Sequence, residues 1–310
     1  MIRRIQGGGY VAEIDTEHGA NCISLRHTGY GAEILRERPA GVGHDRLDNP
    51  FLYGMPILFP VNRISGGVFS FEGRTYRFPI NEPGTGCHLH GLLHGMPFAV
   101  SEQADNRLCA VFRADAEHPY LGVPHAFEIC IEYLLAEEGL TQRIEVVNRS
   151  DAAMPCLLGF HTTFRVPFVE GSAPDAISVR ADVSEEYERN MENYLPTGRR
   201  VPFDPLSSSI RDGSFCPIGV PASRHYRALR DGRMEICDAE KRLKIVYLND
   251  EKLAFRLIYN GTADGYICME PQTSLANSPN APIPREEAGF FVIPPEESAV
   301  FASKIYIERF

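Results

Sequence analysis

Two side chains in this sequence, His161 and Glu270, could act together as a proton donor and a proton acceptor. His161 lies in the apolar segment LGFHTTF, and Glu270 follows the apolar run of ICMEPQT. Burial among apolar neighbours raises the pKa of a carboxyl group towards the neutral range, where a general base works best. Either residue could instead be structural, since many histidines in strands are simply hydrogen-bonded and many glutamates before loops are exposed. Pro271 lacks an N–H, and it predicts the end of the strand that carries Glu270.

A glycine-rich segment from residue 54 to residue 98 supplies further candidates for binding. Asn62 and Arg63 follow the apolar run ILFPV. The guanidinium group of Arg63 presents a rigid fork of donors that suits hydroxyl or carboxylate oxygens. Taken alone, Arg63 is more simply interpreted as a solvated loop residue.

Three histidines in the same segment, His88, His90 and His94, have the spacing H-x-H-x3-H. On a strand, His88 and His90 would point to one face, as the ligands of a cupin metal centre do. Such a centre needs another ligand at a matching spacing, and Glu82 lies on the wrong side of the histidines. Nearby glycines favour a tight loop that lines a pocket. The sequence therefore predicts a substrate-contacting histidine, with structural histidines as the alternative, and neither a metal nor a cofactor.

Composition and charge argue against several classes of partner. The chain has 310 residues and a formal net charge of −10, which disfavours nucleic acid and anionic membrane surfaces as partners. No apolar run approaches the roughly 18 residues of a membrane helix, and the N-terminus lacks the apolar core of a signal peptide. The eight cysteines are scattered without a CxxC pair. Buried free thiols are typical of a reducing compartment, so a cytoplasmic location is expected.

Alternating apolar and polar residues predict antiparallel strands through most of the chain. The strands expected from these patterns cover residues 68–71, 75–78, 127–133, 143–146, 242–248, 253–258 and 301–307. The first two form a hairpin around Gly73.

No long helical periodicity interrupts this pattern. Short helical turns are expected near residues 185–194, and the Pro/Ser/Gly-rich stretch 202–221 is expected to be a loop. No linker divides the chain. The sequence thus predicts an all-β fold, a single large antiparallel sandwich or barrel formed by one domain over residues 1–310.

The order of the segments FPVNRISGGVFSFEGRTYRFPINEP, LHGLLHG, GFHTTFRVP and MEPQT resembles the aldose 1-epimerases of the galactose-mutarotase superfamily. The resemblance begins near residues 19–20, continues through 31–36 and reaches the C-terminal strand. It implies one large antiparallel β-sandwich. It also implies an enzyme that interconverts the α and β anomers of a hexose or related aldose, with a small-molecule sugar as its partner.

The resemblance assigns a role to each candidate residue. Glu270 matches the general base that takes a proton from the anomeric hydroxyl, and His161 matches the general acid that protonates the ring oxygen. His90 matches a second histidine near the ring oxygen. Arg63 matches the arginine that holds sugar hydroxyls, and Asn62 beside it is a further substrate-binding candidate.

One segment departs from the family pattern. ASRHYRA, residues 222–228, contains no counterpart of the family's hydroxyl-binding aspartate, and His225 is the candidate substrate contact there. Arg224 and Arg227 could bind the phosphate of a hexose phosphate, or they could form a solvated strand edge. Many family members also have His-Pro-Tyr-Phe where this chain has HTTF from His161. The resemblance thus predicts the reaction and leaves the sugar open.

Two other classes of function compete with an epimerase. A non-catalytic carbohydrate-binding or sensor protein on the same fold would bind sugar without needing an acid and a base. A cupin-like metal enzyme would use His88, His90 and His94 as ligands. The sequence predicts no oligomeric state.

Overall fold

Strands dominate the secondary structure, and the predicted all-β fold is confirmed. The computed structural model describes residues 1–229 and 232–310. These residues contain 26 strands, one α-helix and six short 3-10 helices. None of the helices in this part of the chain is both long and apolar enough to cross a membrane.

The strands before residue 126 are β1 Ile2–Gly7, β2 Tyr10–Asp15, β3 Asn21–His27, β4 Ala32–Glu33, β5 Ile57–Leu58, β6 Arg63–Ser65, β7 Val68–Phe71, β8 Arg74–Arg77, β9 Cys87–Leu89, β10 Ala99–Gln103 and β11 Arg107–Ala114. Those after it are β12 Phe127–Ala136, β13 Gly139–Asn148, β14 Met154–Pro155, β15 Gly159–Phe160, β16 Thr162–Arg165, β17 Ile177–Ala181, β18 Val183–Arg189, β19 Pro196–Val201, β20 Ser223–Ala228, β21 Met234–Asp238, β22 Leu243–Asn249, β23 Phe255–Tyr259, β24 Tyr266–Gln272, β25 Val292–Ile293 and β26 Ser298–Arg309. The α-helix is α1 Pro205–Asp212, and the 3-10 helices are Thr28–Tyr30, His44–Arg46, Pro50–Leu52, Leu93–Gly95, Pro174–Ala176 and Ser278–Asn280.

Two large antiparallel sheets form the sandwich. The first has the strand order β10-β11-β12-β13-β26-β22-β21-β17. The second has the order β19-β18-β20-β23-β24-β15-β5, and β16 also pairs with β24. A four-stranded sheet, β1-β2-β3-β4, and the pairs β14–β25, β6–β9 and β7–β8 complete the described strands.

The core lies between the two large sheets. In β12 every second residue is buried, as the alternating sequence predicts for a strand with one face inward. Ile129 and Ile144 of the first sheet belong to the same buried apolar cluster as Ile258 and Ile267 of the second. Strand β24 differs, because all seven of its residues are buried. Its second face therefore also lies under other parts of the chain.

The structure corrects two predictions of local conformation. Residues 185–189, expected to form helical turns, belong to β18, which pairs with β19 and β20, so sheet pairing overrides the local preference. The expected loop at 202–221 contains helix α1. The Asp204 side chain caps it by accepting a hydrogen bond from the Ser207 N–H at 2.8 Å, and Gly213 ends it at φ +84°. Eight residues are too few for a helical periodicity to be visible in the sequence.

The prediction that Pro271 ends its strand is also wrong. Strand β24 continues to Gln272, with Pro271 opposite Arg256 of β23. Proline removes one N–H from the ladder. The missing N–H of Pro271 lies close to the point where the paired strand is itself interrupted, at His161 between β15 and β16.

A close backbone approach holds the loop that follows β9. Gly91 has φ +68°, and a Cβ atom added there would lie 1.9 Å from the carbonyl oxygen of Phe59. Gly86, before β9, has a similar φ of +67° but open space around it. An alanine at Gly86 would therefore meet only the strain of a left-handed backbone, whereas an alanine at Gly91 would meet that strain and a steric overlap with Phe59.

We expect Gly91→Ala to lower the free energy of unfolding by at least about 4 kcal/mol, a size reached only when backbone or core is severely disrupted. The matched change Gly86→Ala should cost only about 1–2 kcal/mol, the strain of a left-handed alanine. Urea denaturation followed by circular dichroism measures both. Equal losses for the two variants would contradict the close approach at Gly91.

Candidate active site

One cleft over the second sheet brings together five of the six predicted site residues. Asn62, Arg63, His90, His161 and Glu270 all line it, whereas His225 does not. The complete lining is Asn49, Phe51, Asn62, Arg63, Glu82, Leu89, His90, His161, Arg189, Tyr194, Ser223, Leu257, Tyr259 and Glu270.

The sheet register places His161 opposite Glu270. Thr162 pairs with Met269 and Gly159 pairs with Gln272, so the same register continued through the gap aligns His161 with Glu270. Residues directly opposite each other in antiparallel strands have their side chains on one face. His161 Nε2 accordingly lies 3.3 Å from Glu270 Oε1.

This pair is almost completely buried, with 5% of His161 and 1% of Glu270 exposed. Burial disfavours the charged form of each group. It raises the pKa of Glu270 to about 8 and lowers the pKa of His161 to about 4. Between these pH values the pair therefore holds one proton.

Two amide side chains fix the carboxyl group of Glu270 from behind. Gln272 Nε2 donates to Glu270 Oε2 at 3.1 Å, and Asn62 Nδ2 donates to Gln272 Oε1 at 3.2 Å. Asn62 Oδ1 accepts from the backbone N–H of Arg63 at 2.9 Å. The chain of bonds leaves Glu270 Oε1 directed at His161, so the arrangement orients one carboxyl oxygen for proton transfer.

Arg63 is held by a two-pronged ion pair. Its Nε and Nη2 atoms donate to the two carboxylate oxygens of Glu82 at 2.7 and 2.6 Å. Burial alone would raise the pKa of Glu82, but the bonds from Arg63 and Thr85 outweigh it and hold that pKa below its usual value. The guanidinium carbon of Arg63 also lies 4.8 Å from the ring centre of Tyr194. Arg63 is therefore a fixed donor at the rim of the cleft.

His90 sits on a strained turn beside the pair. It has φ +63°, Asn62 has φ +59°, and the His90 N–H donates to the Asn62 carbonyl oxygen at 3.0 Å. Non-glycine residues with such φ values cost free energy and occur most often at functional sites. The His90 ring lies 4.7 Å from the ring of Phe51 and 5.3 Å, edge to face, from that of His161. Burial lowers the pKa of His90, so its ring is neutral at neutral pH.

Comparison with known proteins identifies the family and the fold. The family model of aldose 1-epimerase matches residues 2–300. The chain belongs to the aldose 1-epimerase family. This is a family of carbohydrate isomerases.

Solved structures of similar proteins cover nearly the whole chain. A galactose mutarotase-like protein from Clostridium acetobutylicum is 31% identical, with a TM-score of 0.93, and the match covers 99% of this chain and 95% of that one. A putative aldose 1-epimerase from Escherichia coli K12 is 16% identical with a TM-score of 0.80, covering 100% and 99%, and at this identity the likeness shows the fold alone. The uncharacterized protein YihR of Escherichia coli K12 is 29% identical over 123 residues, which span 39% of this chain and 39% of that protein.

In this aldose 1-epimerase family member, the three histidines of the H-x-H-x3-H segment lie in different surroundings. His88 lies under Phe78, with its Nδ1 2.7 Å from the Pro79 carbonyl oxygen. His94 packs edge to face on the Phe51 ring, with 4.7 Å between the ring centres, and it also neighbours His44. Within residues 1–229 and 232–310, no group of three or more His, Cys, Asp or Glu side chains could hold a metal ion.

His225 lies beneath the surface of the cleft. It pairs with Leu257, which pairs with Glu270, so these three residues form one row on the same face of the sheet. His225 is 1% exposed and packs edge to face on Phe255. Leu257 lies between it and Glu270 and lines the cleft in its place. A direct sugar contact by His225 stays a prediction.

Several residues that line the cleft are not predicted from the sequence. Arg189 and Tyr194 come from the β18–β19 hairpin, Phe51 from a 3-10 helix, and Ser223 and Tyr259 from adjacent strands of the second sheet. No local motif marks them, because long-range strand pairing brings them to the cleft. Ser223 is the residue of the 222–228 segment that reaches the cleft.

The buried carboxyl group of Glu270 should lower stability as the pH rises. Between its ordinary pKa of 4.5 and its folded value of about 8, the folded state keeps a proton that the unfolded state has released. The free energy of unfolding therefore falls through this window. We expect Glu270→Gln to be more stable than the parent at pH 8 by roughly 2–4 kcal/mol, and equally stable below pH 4.5.

Denaturant unfolding of both proteins at pH 4.5, 6 and 8 measures this difference. Glu138→Gln, at an exposed turn, is the matched control and should show no pH-dependent gain. A Glu270→Gln variant no more stable than the parent at pH 8 would show that the carboxyl group is already ionised in the folded state.

Proposed function

We propose that this protein is an aldose 1-epimerase that opens and closes the ring of a hexose or related aldose. The observation that carries the proposal is the buried His161–Glu270 pair, with 3.3 Å between Nε2 and Oε1, on the wall of a cleft. Binding alone requires no such pair of proton-transfer groups. Its membership of the aldose 1-epimerase family supports the same reaction.

In the proposed mechanism, Glu270 takes the proton from the anomeric hydroxyl while His161 gives a proton to the ring oxygen. The C1–O5 bond breaks, and an open-chain aldehyde forms. Rotation about C1–C2 presents the other face of the carbonyl, and reversal of both proton transfers closes the ring as the other anomer. The enzyme ends in its starting protonation state, so no redox partner is consumed.

The single proton of the pair fits this cycle. Moving it from Glu270 to His161 produces the carboxylate and imidazolium that ring opening needs, with no exchange with solvent. Both groups face the cleft, and the side chains of Asn62 and Gln272 hold Glu270 in one orientation. Pre-oriented acids and bases contribute through such positioning.

Arg63 and His90 are proposed to hold the sugar. Glu82 takes up Nε and one N–H of Nη2 of Arg63, so Nη1 and the second Nη2 hydrogen remain as donors to hydroxyl oxygens. His90 lies beside His161, where the ring oxygen would be. Arg224 and Arg227 are poorly placed to bind a phosphate in this cleft. Arg224 pairs with Glu186 and Asp204, while Arg227 stacks on Phe255.

The cellular location also stays a proposal. All eight cysteines are free thiols, which supports the reducing cytoplasm expected from their scattered positions.

We expect Glu270→Gln and His161→Asn each to lower kcat by about 10²–10⁴, because each removes a positioned base or acid. Saturation-transfer NMR between the two anomers of a sugar measures the exchange rate directly. Glu138→Gln and His118→Asn, both exposed, make the same chemical changes away from the cleft and should leave kcat unchanged.

Near-parental exchange in either cleft variant would refute the proposed acid–base pair. Sugar binding without any acceleration of anomer exchange by the parent protein would favour a non-catalytic carbohydrate-binding or sensor protein instead.

A further inference from the structure

The loop of residues 39–48, on the approach to the cleft, is attached to the rest of the protein at His44. None of its residues is buried, so no apolar core fixes it. The His44 ring stacks on that of His18, with 4.3 Å between the ring centres, and lies 5.6 Å from the ring of His94. Within the described part of the chain, the only other hydrogen bond, ion pair or ring contact from this loop to another segment joins Asp45 to His18, at 3.8 Å. These three histidines, the histidine stack, therefore hold the loop.

The histidine stack continues into the wall of the cleft. His94 packs edge to face on Phe51, and the Phe51 ring lies 4.7 Å from the ring of His90 and 6.2 Å from that of His161. The loop runs directly into Asn49, whose side chain accepts a hydrogen bond from the Phe51 N–H at 3.1 Å. Asn49 and Phe51 both line the cleft. A movement of the loop would therefore displace the two residues that form this wall.

The carboxylates near the stack are either already paired or exposed. Asp15 Oδ2 lies 3.1 Å from His18 Nδ1 and 3.1 Å from Arg38 Nη2. The side chain of Asp45 is 91% exposed, so water and salt screen its charge. Among the described residues, no carboxylate lies within 4.0 Å, the limit of an ion pair, of a His44 ring nitrogen. The charged and titratable groups around the stack are the N-terminus at Met1, Asp15, Glu17, His18, Arg38, Asp45, His88 and His94.

The closed stack binds protons weakly. Burial, followed by repulsion from His18 and Arg38, lowers the pKa of His44 below its ordinary value of 6.5. Burial, followed by repulsion from His44, lowers the pKa of His94 to about 4. A histidine released into water recovers its ordinary pKa, so below that value the released loop binds more protons than the closed one. The closed state is therefore favoured above pH 6.5 and loses stability as the pH falls through this value.

We propose that the histidine stack is an acid-sensitive latch, which holds the wall formed by Asn49 and Phe51 in place near neutral pH and releases it when His44 gains a proton. His44 touches no substrate in this scheme. It acts through His94 and Phe51, so it is a positioning residue. The inference rests on the proposed epimerase function only for its consequence, which is tighter sugar binding at neutral than at acid pH. The release of the loop does not depend on what the cleft binds.

Amide hydrogen exchange tests the latch directly. It is measured by mass spectrometry on peptides from residues 39–52 at pH 7.5 and 5.5, and corrected for the intrinsic exchange rate at each pH. We expect the corrected rate of the parent to rise about 3- to 10-fold at pH 5.5, the range open to one histidine whose pKa is lowered in the closed state. Peptides from β12 and β13 should stay protected, which excludes global unfolding.

Two substitutions at His44 separate the ring from its charge. His44→Phe keeps an aromatic ring that cannot be protonated, so the loop should stay protected at both pH values. His44→Ala removes the ring, so the loop should exchange fast at both. His118→Phe, at an exposed histidine, is the matched control and should behave as the parent does.

The same change of pH separates sugar binding from proton transfer. Saturation-transfer NMR of anomer exchange, with glucose and with galactose, gives KM and kcat for the parent and for His44→Phe, which both retain His161 and Glu270. We expect the KM of the parent, relative to that of His44→Phe, to rise about 3- to 10-fold between pH 7.5 and 5.5. The ratio of the two kcat values should stay constant.

Corrected loop exchange in the parent that is equal at the two pH values would overturn the latch. An acid-induced rise of the same size in His44→Phe would also overturn it, because the proton would then be bound elsewhere. A constant ratio of KM values would overturn the link between the latch and the cleft. Hydrogen exchange requires no substrate, so it decides the latch even if the parent accelerates neither sugar, an outcome that would count against the proposed function alone.

Discussion

The burial of Glu270 against His161 is the interaction on which the rest of the site depends. Because only 1% of Glu270 is exposed, its carboxyl group is costly to ionise, and the nearby imidazole is costly to protonate. Together they can hold one proton at low cost, provided that they stay in contact. The surrounding structure therefore has to fix a distance of 3.3 Å between two side chains from different strands.

The second sheet provides this constraint through its register. Strands β15 and β16 keep the same register with β24 across the interruption at His161. The hydrogen bonds from Asn62 to Gln272 and from Gln272 to Glu270 fix the carboxyl group. The left-handed turns at Asn62 and His90 bring a second histidine against the first. The left-handed turns and the buried carboxyl group both destabilise the folded state, so stability alone would not favour them.

Much of the fold could be predicted from the sequence, because alternating patterns such as that of β12 report directly on a sheet with one buried face. The short helix α1 and the continuation of β24 through Pro271 could not, because local preferences there are overridden by capping and by sheet pairing. The motif-bearing residues of the cleft, such as Arg63 and Glu270, were recognisable from their flanking sequences. Arg189 was not, since only the pairing of β18 with β20 places it near Ser223.

The most direct test of this account is the titration of the Glu270 carboxyl group itself. Carbon-13 NMR of protein labelled at the glutamate δ-carbons, with Glu270→Gln to assign the signal, follows its ionisation between pH 3 and 10. The account predicts a midpoint near pH 8, far above the ordinary value of 4.5. A midpoint at or below 4.5 would contradict it, because burial would then not hold the proton of the pair on Glu270 in the neutral range.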